Sequence, residues 1–197
     1  MKAILLDMYG VIIKQTGDDF VPYVQRFFPE LSREQIRAPW FKADDGLLSS
    51  LDVWRILGFT GDLEAVERQY LETLTINPDF YAFSAAAHAR GVKLAVVSND
   101  SSRWSAYLRE KFDLHPHFAA VSISGDLKLS KPDPRIYQMT LDRLHCTAPD
   151  CVYVDDRTGN LDAAAKLGMK PILFSSRNDA CRFQSVSSFA ELTRLLP

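Results

Sequence analysis

Four short stretches place polar side chains directly beside apolar runs: Leu5-Leu6-Asp7-Met8-Tyr9-Gly10-Val11-Ile12, Val96-Val97-Ser98-Asn99-Asp100, Leu129-Ser130-Lys131-Pro132-Asp133-Pro134 and Val152-Tyr153-Val154-Asp155-Asp156-Arg157. The first by itself reads equally well as a strand followed by an ordinary Asp-containing turn. The other three shift the balance, because each sets polar chemistry at the end of a strand or the start of a helix. A carboxylate at the carboxyl end of a parallel strand stands where open α/β sheets bind their ligands. Gathered at one sheet edge, Asp7, Asp155 and Asp156 would be three negative charges that raise one another's pKa unless a cation joins them. Lys131 supplies one positive charge and a divalent ion supplies two. Hard oxygen ligands suit Mg²⁺, which keeps several waters and shares a phosphate with the protein. Ser98, at a strand end just before a helix, offers a hydroxyl near backbone N–H groups, which is an anion site. Such a cluster is built for a phosphoryl group, with Asp7 or a water as the attacking oxygen.

The elements that must position these residues follow from apolar periodicity. Ala3–Leu6 is a short apolar run of the kind that forms a buried strand. After Ile13 the pattern turns helical, with Phe20, Val21, Val24, Phe27 and Phe28 on one face and Pro29 as the stop. Ser32-Arg33-Glu34-Gln35 is a capping box opening a second helix. A third starts near Ser50 and closes at Gly58, and a fourth covers residues 62–74. These four form a helical block without a strand signal. From Asp79 the rhythm alternates: a helix ending at Gly91, a strand at 92–97, a helix at 103–112, a strand at 119–123, a helix capped by Asp133 with Pro134 at its first position, a strand at 152–154, a helix at 160–167, a strand at 171–174, and a last helix opened by the capping box Ser188-Phe189-Ala190-Glu191. Strands alternating with helices imply right-handed crossovers and a parallel sheet covered on both faces.

The bulk composition excludes several classes. The chain has 197 residues, 47% hydrophobic and 24% charged, the profile of a globular protein. A net charge of −2 leaves no footprint for nucleic acid, and no apolar run approaches a membrane span. Cys146, Cys151 and Cys181 are odd in number and form no CxxC pair, so they read as reduced thiols of a cytoplasmic protein. The apolar stretch before Asp7 is too short for a signal peptide.

The four stretches, in this order and spacing, resemble the motifs of the haloacid dehalogenase superfamily of hydrolases across nearly the whole chain. Asp7-Met8-Tyr9-Gly10-Val11 is similar to the first motif, Ser98 sits in the second, Lys131 in the third and Asp155-Asp156 in the fourth. The resemblance implies an α/β fold: a Rossmann-like three-layer core with a parallel sheet, formed by residues 1–14 and 79–197, and an all-helical cap of the C1 type at 15–78. It implies that Asp7 is a nucleophile forming an aspartyl-phosphate, and that Ser98 and Asn99 meet the phosphate or substrate. Lys131 then offsets the charge of nucleophile and phosphate. Asp7, Asp156, the main-chain carbonyl of Tyr9, and Asp155 beside them form the Mg²⁺ site. The expected substrate is a small phosphorylated metabolite, with no nucleic acid or membrane partner.

One position departs from the family pattern. Most phosphatases of the family carry a second aspartate two residues after the nucleophile, which protonates the leaving group and then activates water. Here that catalytic position is Tyr9, a poor base near neutral pH. This predicts slow turnover of the covalent intermediate. Dehalogenases of the superfamily share the Asp-x-Tyr-Gly pattern, so a 2-haloacid dehalogenase with Asp7 attacking carbon is the alternative. A catalytically weak protein that binds a phosphorylated ligand is a further one. The paired aspartates of the fourth motif favour a metal-dependent phosphatase.

Other residues have plainer readings. Asp100 caps the next helix, and Asn160 either caps a helix or supports the metal loop. His115-Pro116-His117 has no third ligand nearby and reads as a surface loop. Trp40, Phe41 and Trp54 serve packing of the cap more readily than a substrate pocket.

Overall fold

Short apolar runs ending in polar residues become strands that pair in parallel, and longer amphipathic runs become the helices that cross between them. A computed structural model describes residues 1–175 and 182–197. Cys181 therefore lies outside the described residues; Cys146 and Cys151 are free thiols. The strands are β1 (Ala3–Leu6), β2 (Lys93–Ser98), β3 (Ala120–Ile123), β4 (Cys151–Asp155), β5 (Lys170–Phe174) and β6 (Gln184–Val186), in the order β3-β2-β1-β4-β5-β6, every neighbouring pair parallel. β1 is central: Leu6 is in register with Val96 on one side and Val154 on the other. The residues just past the ends of β1, β2 and β4 therefore come together at one edge.

Alternation divides the sheet into two apolar faces. Ile4, Leu6, Leu94, Val96, Val152 and Val154 belong to one cluster, and Leu5, Ala95, Val97 and Tyr153 to the other. The second face is covered by α8 (Pro134–Leu144) and α9 (Thr158–Lys166), and the first by helices that include α5 (Phe80–Ala89) and α10 (Phe189–Thr193). This is the three-layer arrangement that the alternating pattern predicts. No helix among the described residues is long and apolar enough to cross a membrane.

Between β1 and α5 lie α1 (Phe20–Gln25), α2 (Arg33–Asp44), α3 (Ser50–Ile56) and α4 (Leu63–Thr73). Ser32, Ser49 and Asp62 cap the last three by accepting N–H bonds from Gln35, Asp52 and Ala65. The chain leaves and re-enters the core side by side: Lys14 N–H donates to the Thr75 carbonyl at 2.8 Å, and Asn77 N–H to that of Ile12 at 2.8 Å. Phe20 sits at the centre of this insert, with the rings of Trp40, Trp54 and Tyr70 at 5.1–5.5 Å. Trp104, on α6 (Ser102–Lys111) of the sheet layer, lies 5.3 Å from the same ring. Insert and sheet layer thus share one apolar cluster.

The structure departs from the sequence reading in three places. α1 ends at Gln25, and Phe27 is 47% exposed, its ring beside Phe59 rather than in the core. The edge strand β6 is only three residues long and shows no alternation to recognise. A single-turn helix, α7 (Ser124–Leu127), follows β3.

Candidate active site

Asp7 is the first residue beyond β1, and its N–H donates to the Val154 carbonyl at 2.9 Å, which extends the sheet by one bond. Its Oδ1 accepts from the Met8 N–H at 2.6 Å and lies 2.8 Å from Lys131 Nζ. Lys131 Nζ is also 2.9 Å from Asp155 Oδ2. The ammonium and both carboxylates are almost entirely buried. Close opposite charge compensates desolvation here, and the charge of the two aspartates holds the lysine above its ordinary pKa.

Asp155 and Asp156 are adjacent but differently committed. Asp155 is fully buried and accepts from Tyr153 OH, from Asn160 Nδ2 at 3.0–3.1 Å and from the Arg157 N–H at 2.8 Å, besides holding Lys131. Its lone pairs are occupied, and it serves to place the lysine. Asp156 keeps a buried Oδ1 without a hydrogen-bond partner, and among the described residues its ion pair is a long one of 3.9 Å to Arg157 Nε. Burial, then the charge of Asp155, pushes Asp156 up to about 6. Asp7 is pushed upward as well, by burial against the pull of Lys131 and with the repulsion of Asp155 and Asp156. Oxygen atoms from Asp7, Asp155 and Asp156 all lie within 4.8 Å of one another.

The turn after Asp7 is shaped for this cluster. Gly10 has φ +78°, and a Cβ there would stand 2.6 Å from Asp156 Oδ2. Only glycine provides both the conformation and the space.

Ser98 closes β2 fully buried, and its Oγ has no hydrogen-bond partner. Asn99 clamps the backbone of Lys131, donating from Nδ2 to its carbonyl at 2.9 Å and accepting its N–H at 2.7 Å. Tyr9 turns its hydroxyl toward Asp100, 3.5 Å from Oδ1. Burial and then the Asp100 charge raise the phenol well above its ordinary pKa.

One plain reading is corrected, and the choice left open for Asn160 falls to support of Asp155. Asp100 is not a cap: Ser101 caps α6, accepting from the Trp104 N–H at 3.3 Å, while Asp100 is buried with an unpartnered Oδ2. Asn160 is not a cap either; it sits in the first turn of α9, and its amide bridges the two oxygens of Asp155. The His115–His117 turn remains structural: His117 Nδ1 is 2.8 Å from Ser84 Oγ and its carbonyl 3.1 Å from His88 Nε2.

A cavity of about 270 Å³ opens onto Asp7 and Lys131. The sheet layer contributes Tyr9, Asn99, Ser130, Arg157 and Asn160 to its walls, and the insert side contributes Gly17, Trp40, Phe41, Asp44 and Asp45. Trp40 and Phe41 thus line the cavity, whereas Trp54 is wholly buried in the aromatic cluster. Sequence reasoning missed Asp44 and Asp45, which read locally as the polar end of an amphipathic helix.

Comparison with known proteins agrees with this arrangement. Residues 1–168 match the family model for haloacid dehalogenase-like hydrolases. The chain is 24% identical over 181 residues to a phosphorylated carbohydrates phosphatase of Thermotoga maritima, covering 87% of this chain and 84% of the relative. It is also 24% identical over 163 residues to (S)-2-haloacid dehalogenase 4A of Burkholderia cepacia, covering 80% of this chain and 70% of the relative. Two further relatives are much longer, the chain spanning 35% and 21% of their lengths. Among solved structures, a HAD family enzyme from Bacteroides thetaiotaomicron in complex with magnesium and inorganic phosphate superposes with a TM-score of 0.74 at 15% identity, over 91% of this chain and 96% of that one. With the family model spanning strands β1 to β4, the insert and all four polar stretches, the chain belongs to the haloacid dehalogenase-like hydrolases.

Proposed function

We propose that this hydrolase is a Mg²⁺-dependent phosphatase that acts on a small phosphorylated metabolite in the cytoplasm, through an aspartyl-phosphate on Asp7. The observation that carries this reading is the buried Oδ1 of Asp156 beside Asp7, without a hydrogen-bond partner, in a cluster where Lys131 is already shared between Asp7 and Asp155 and Arg157 stands 3.9 Å off. A carboxylate placed this way asks for a further positive charge. The donor set fits Mg²⁺: Asp7, Asp156 and the main-chain carbonyl of Tyr9 would hold the ion, with Asp155 beside them. When bound, Mg²⁺ would offset the charge gathered on the nucleophile and the phosphoryl oxygens. The phosphatase relative and the structure with magnesium and phosphate support the same choice.

The chain's own residues then divide the work. Lys131 and Met8 N–H hold Asp7 through Oδ1, which leaves Oδ2 to attack phosphorus. Asp155 fixes the lysine, and Asn99 fixes its backbone. The unpartnered Ser98 hydroxyl is a donor for a phosphoryl oxygen. The insert, which we assign to residues 15–78, walls the leaving-group side with Trp40 and Phe41.

Tyr9 favours the second reading, a 2-haloacid dehalogenase, since a dehalogenase has no leaving oxygen to protonate. One screen separates the two: phosphorylated metabolites and short 2-haloacids, each with Mg²⁺ and with chelator. Phosphate release that vanishes in chelator and returns with Mg²⁺ is expected. Halide release in chelator would overturn the phosphatase reading.

A further inference from the structure

The chain lacks a carboxyl at position 9, yet a buried carboxyl reaches the cavity from another direction. Asp44 is the last residue of α2, 5% exposed, and it lines the cavity together with Asp7 and Lys131. Its Oδ1 is buried and has no hydrogen-bond partner. Among the described residues Asp100 is the other acid nearby with an orphaned oxygen outside the metal cluster, but it does not line the cavity and receives the Tyr9 hydroxyl.

The end of α2 is fixed over the sheet edge. Ser124 Oγ donates to the Asp44 carbonyl, and Ser130 OH donates to Asp45 Oδ1. Gly46 follows with φ +70°, so close to the single-turn helix α7 that a Cβ there would stand 2.6 Å from the Gly125 carbonyl oxygen. A carboxyl held by such contacts keeps one position relative to the nucleophile, as a proton carrier requires.

We propose that Asp44, contributed by the helical insert, is the acid–base residue of this site in place of the carboxyl that position 9 lacks. The inference rests on the phosphatase reading. In the first step an Asp7 oxygen bonds to phosphorus, the ester P–O bond breaks, and the leaving oxygen takes the proton of the Asp44 carboxyl. In the second step the Asp44 carboxylate takes a proton from water as that water bonds to phosphorus. The bond between Asp7 and phosphorus then breaks, giving inorganic phosphate, with Asp7 as carboxylate and Asp44 protonated again. Burial, then the charge of Asp45, holds the Asp44 carboxyl well above the ordinary range, which keeps the proton available for the first step. The groups around it are the Trp40 indole of its own helix, Asp45 just beyond that helix, the Ser101 N–H and Asp100 from the loop after β2, Tyr9 from the loop after β1, Tyr70 from α4 and Arg157 from the loop after β4.

The test uses p-nitrophenyl phosphate and Mg²⁺ with the full chain. p-Nitrophenolate leaves without a proton, so phosphorylation of Asp7 needs no acid, whereas hydrolysis of the intermediate needs the base. Asp44→Asn is expected to give a burst of one p-nitrophenolate per chain, followed by a steady rate about 10²–10⁴-fold below wild type, with phosphate accumulating on the protein. Tyr9→Asp in the Asp44→Asn background is expected to restore part of the steady rate. Asp44→Ser carries the same expectation and is read if Asp44→Asn lacks the wild-type circular dichroism. A wild-type steady rate in the variant, or a burst and steady rate that fall together, overturns the assignment of Asp44. A wild type that releases no p-nitrophenolate overturns the phosphatase reading, and the inference with it.

Discussion

Lys131 is the residue on which the charge balance of the site turns. It pairs with two carboxylates at once from a buried position, so no solvent cation substitutes cheaply for it. Lys131→Ala removes positive charge where negative charge accumulates, and turnover is expected to fall about 10²–10³-fold in steady-state assays with Mg²⁺. Near wild-type turnover would show that the lysine is structural. Asp156 has its own signature in pH. Its folded pKa of about 6 lies above the ordinary aspartate value of 3.8, so the folded chain holds the proton more tightly than the unfolded one. The stability this contributes is fully present below pH 3.8 and is lost as pH rises through 6. At 1.36 kcal/mol per tenfold change, the whole effect is about 3 kcal/mol in metal-free protein. Denaturant titrations of wild type and Asp156→Asn between pH 3.5 and 7.5 isolate it: wild type should lose stability relative to the variant as pH rises, and Mg²⁺ should reverse that loss. A flat difference would place Asp156 in a more open environment than the structure shows.

At the scale of elements, two features hold the loop after β1 and the insert. The turn after β1 brings its backbone against Asp156, and Gly10→Ala puts a methyl group into that carboxylate at a positive φ. The expected result is a loss of Mg²⁺ affinity of at least tenfold by calorimetry, with a backbone strain of about 1–2 kcal/mol. Unchanged affinity would mean that the turn and Asp156 separate freely. The insert is tied through Glu67 on α4, whose Oε2 accepts from the indoles of Trp54 at 3.3 Å and Trp104 at 2.6 Å, while Oε1 receives Arg103. Glu67→Leu leaves two buried indole N–H groups without an acceptor, at about 1–3 kcal/mol each. The melting temperature should drop by roughly 5–20 °C, and Glu67→Gln, which keeps one acceptor, should lose less. Equal melting temperatures for wild type and Glu67→Leu would show that the two indoles find water instead.

Over the whole molecule, those ties bear on how substrate enters. Lys111 of α6 donates to the carbonyls of Leu71, Glu72 and Leu74 at the end of the insert, and the apolar cluster runs without a break from sheet to insert. An insert joined to the sheet by two paired strands of chain alone would be free to swing; this one shares a core with it. The whole insert is therefore expected to exchange its buried amides with protection within about tenfold of that of β1 and β4, because opening it exposes Phe20 and Trp104 together. Amides of α2–α4 that exchange orders of magnitude faster than those of the sheet would instead reveal a separately opening lid.

The sequence by itself determined the elements and most of the sheet-edge residues. Strands showed as apolar runs and helices as amphipathic ones, and the capping residues Ser32, Asp133 and Ser188 marked true helix starts. Asp7, Ser98, Lys131, Asp155 and Asp156 were legible because each interrupts or follows an apolar run at a place where only the end of an element fits. β6 was not, since three residues on a sheet edge carry too little pattern. Phe27 misled because a periodic apolar residue beyond the true end of α1 looks the same in sequence as one inside it. Tertiary structure alone decided which neighbouring carboxylate stays open. Asp155 and Asp156 are identical in type and adjacent, but Lys131 and Asn160 from other elements, with Tyr153 two residues back along β4, saturate only the first. It decided as well that Asp100 and Glu67 are buried partners rather than caps and surface charges, and that Asp44 lines the same cavity as Asp7. Local spacing encodes local conformation, whereas desolvation and charge pairing are set by whichever chain segments fold against a group.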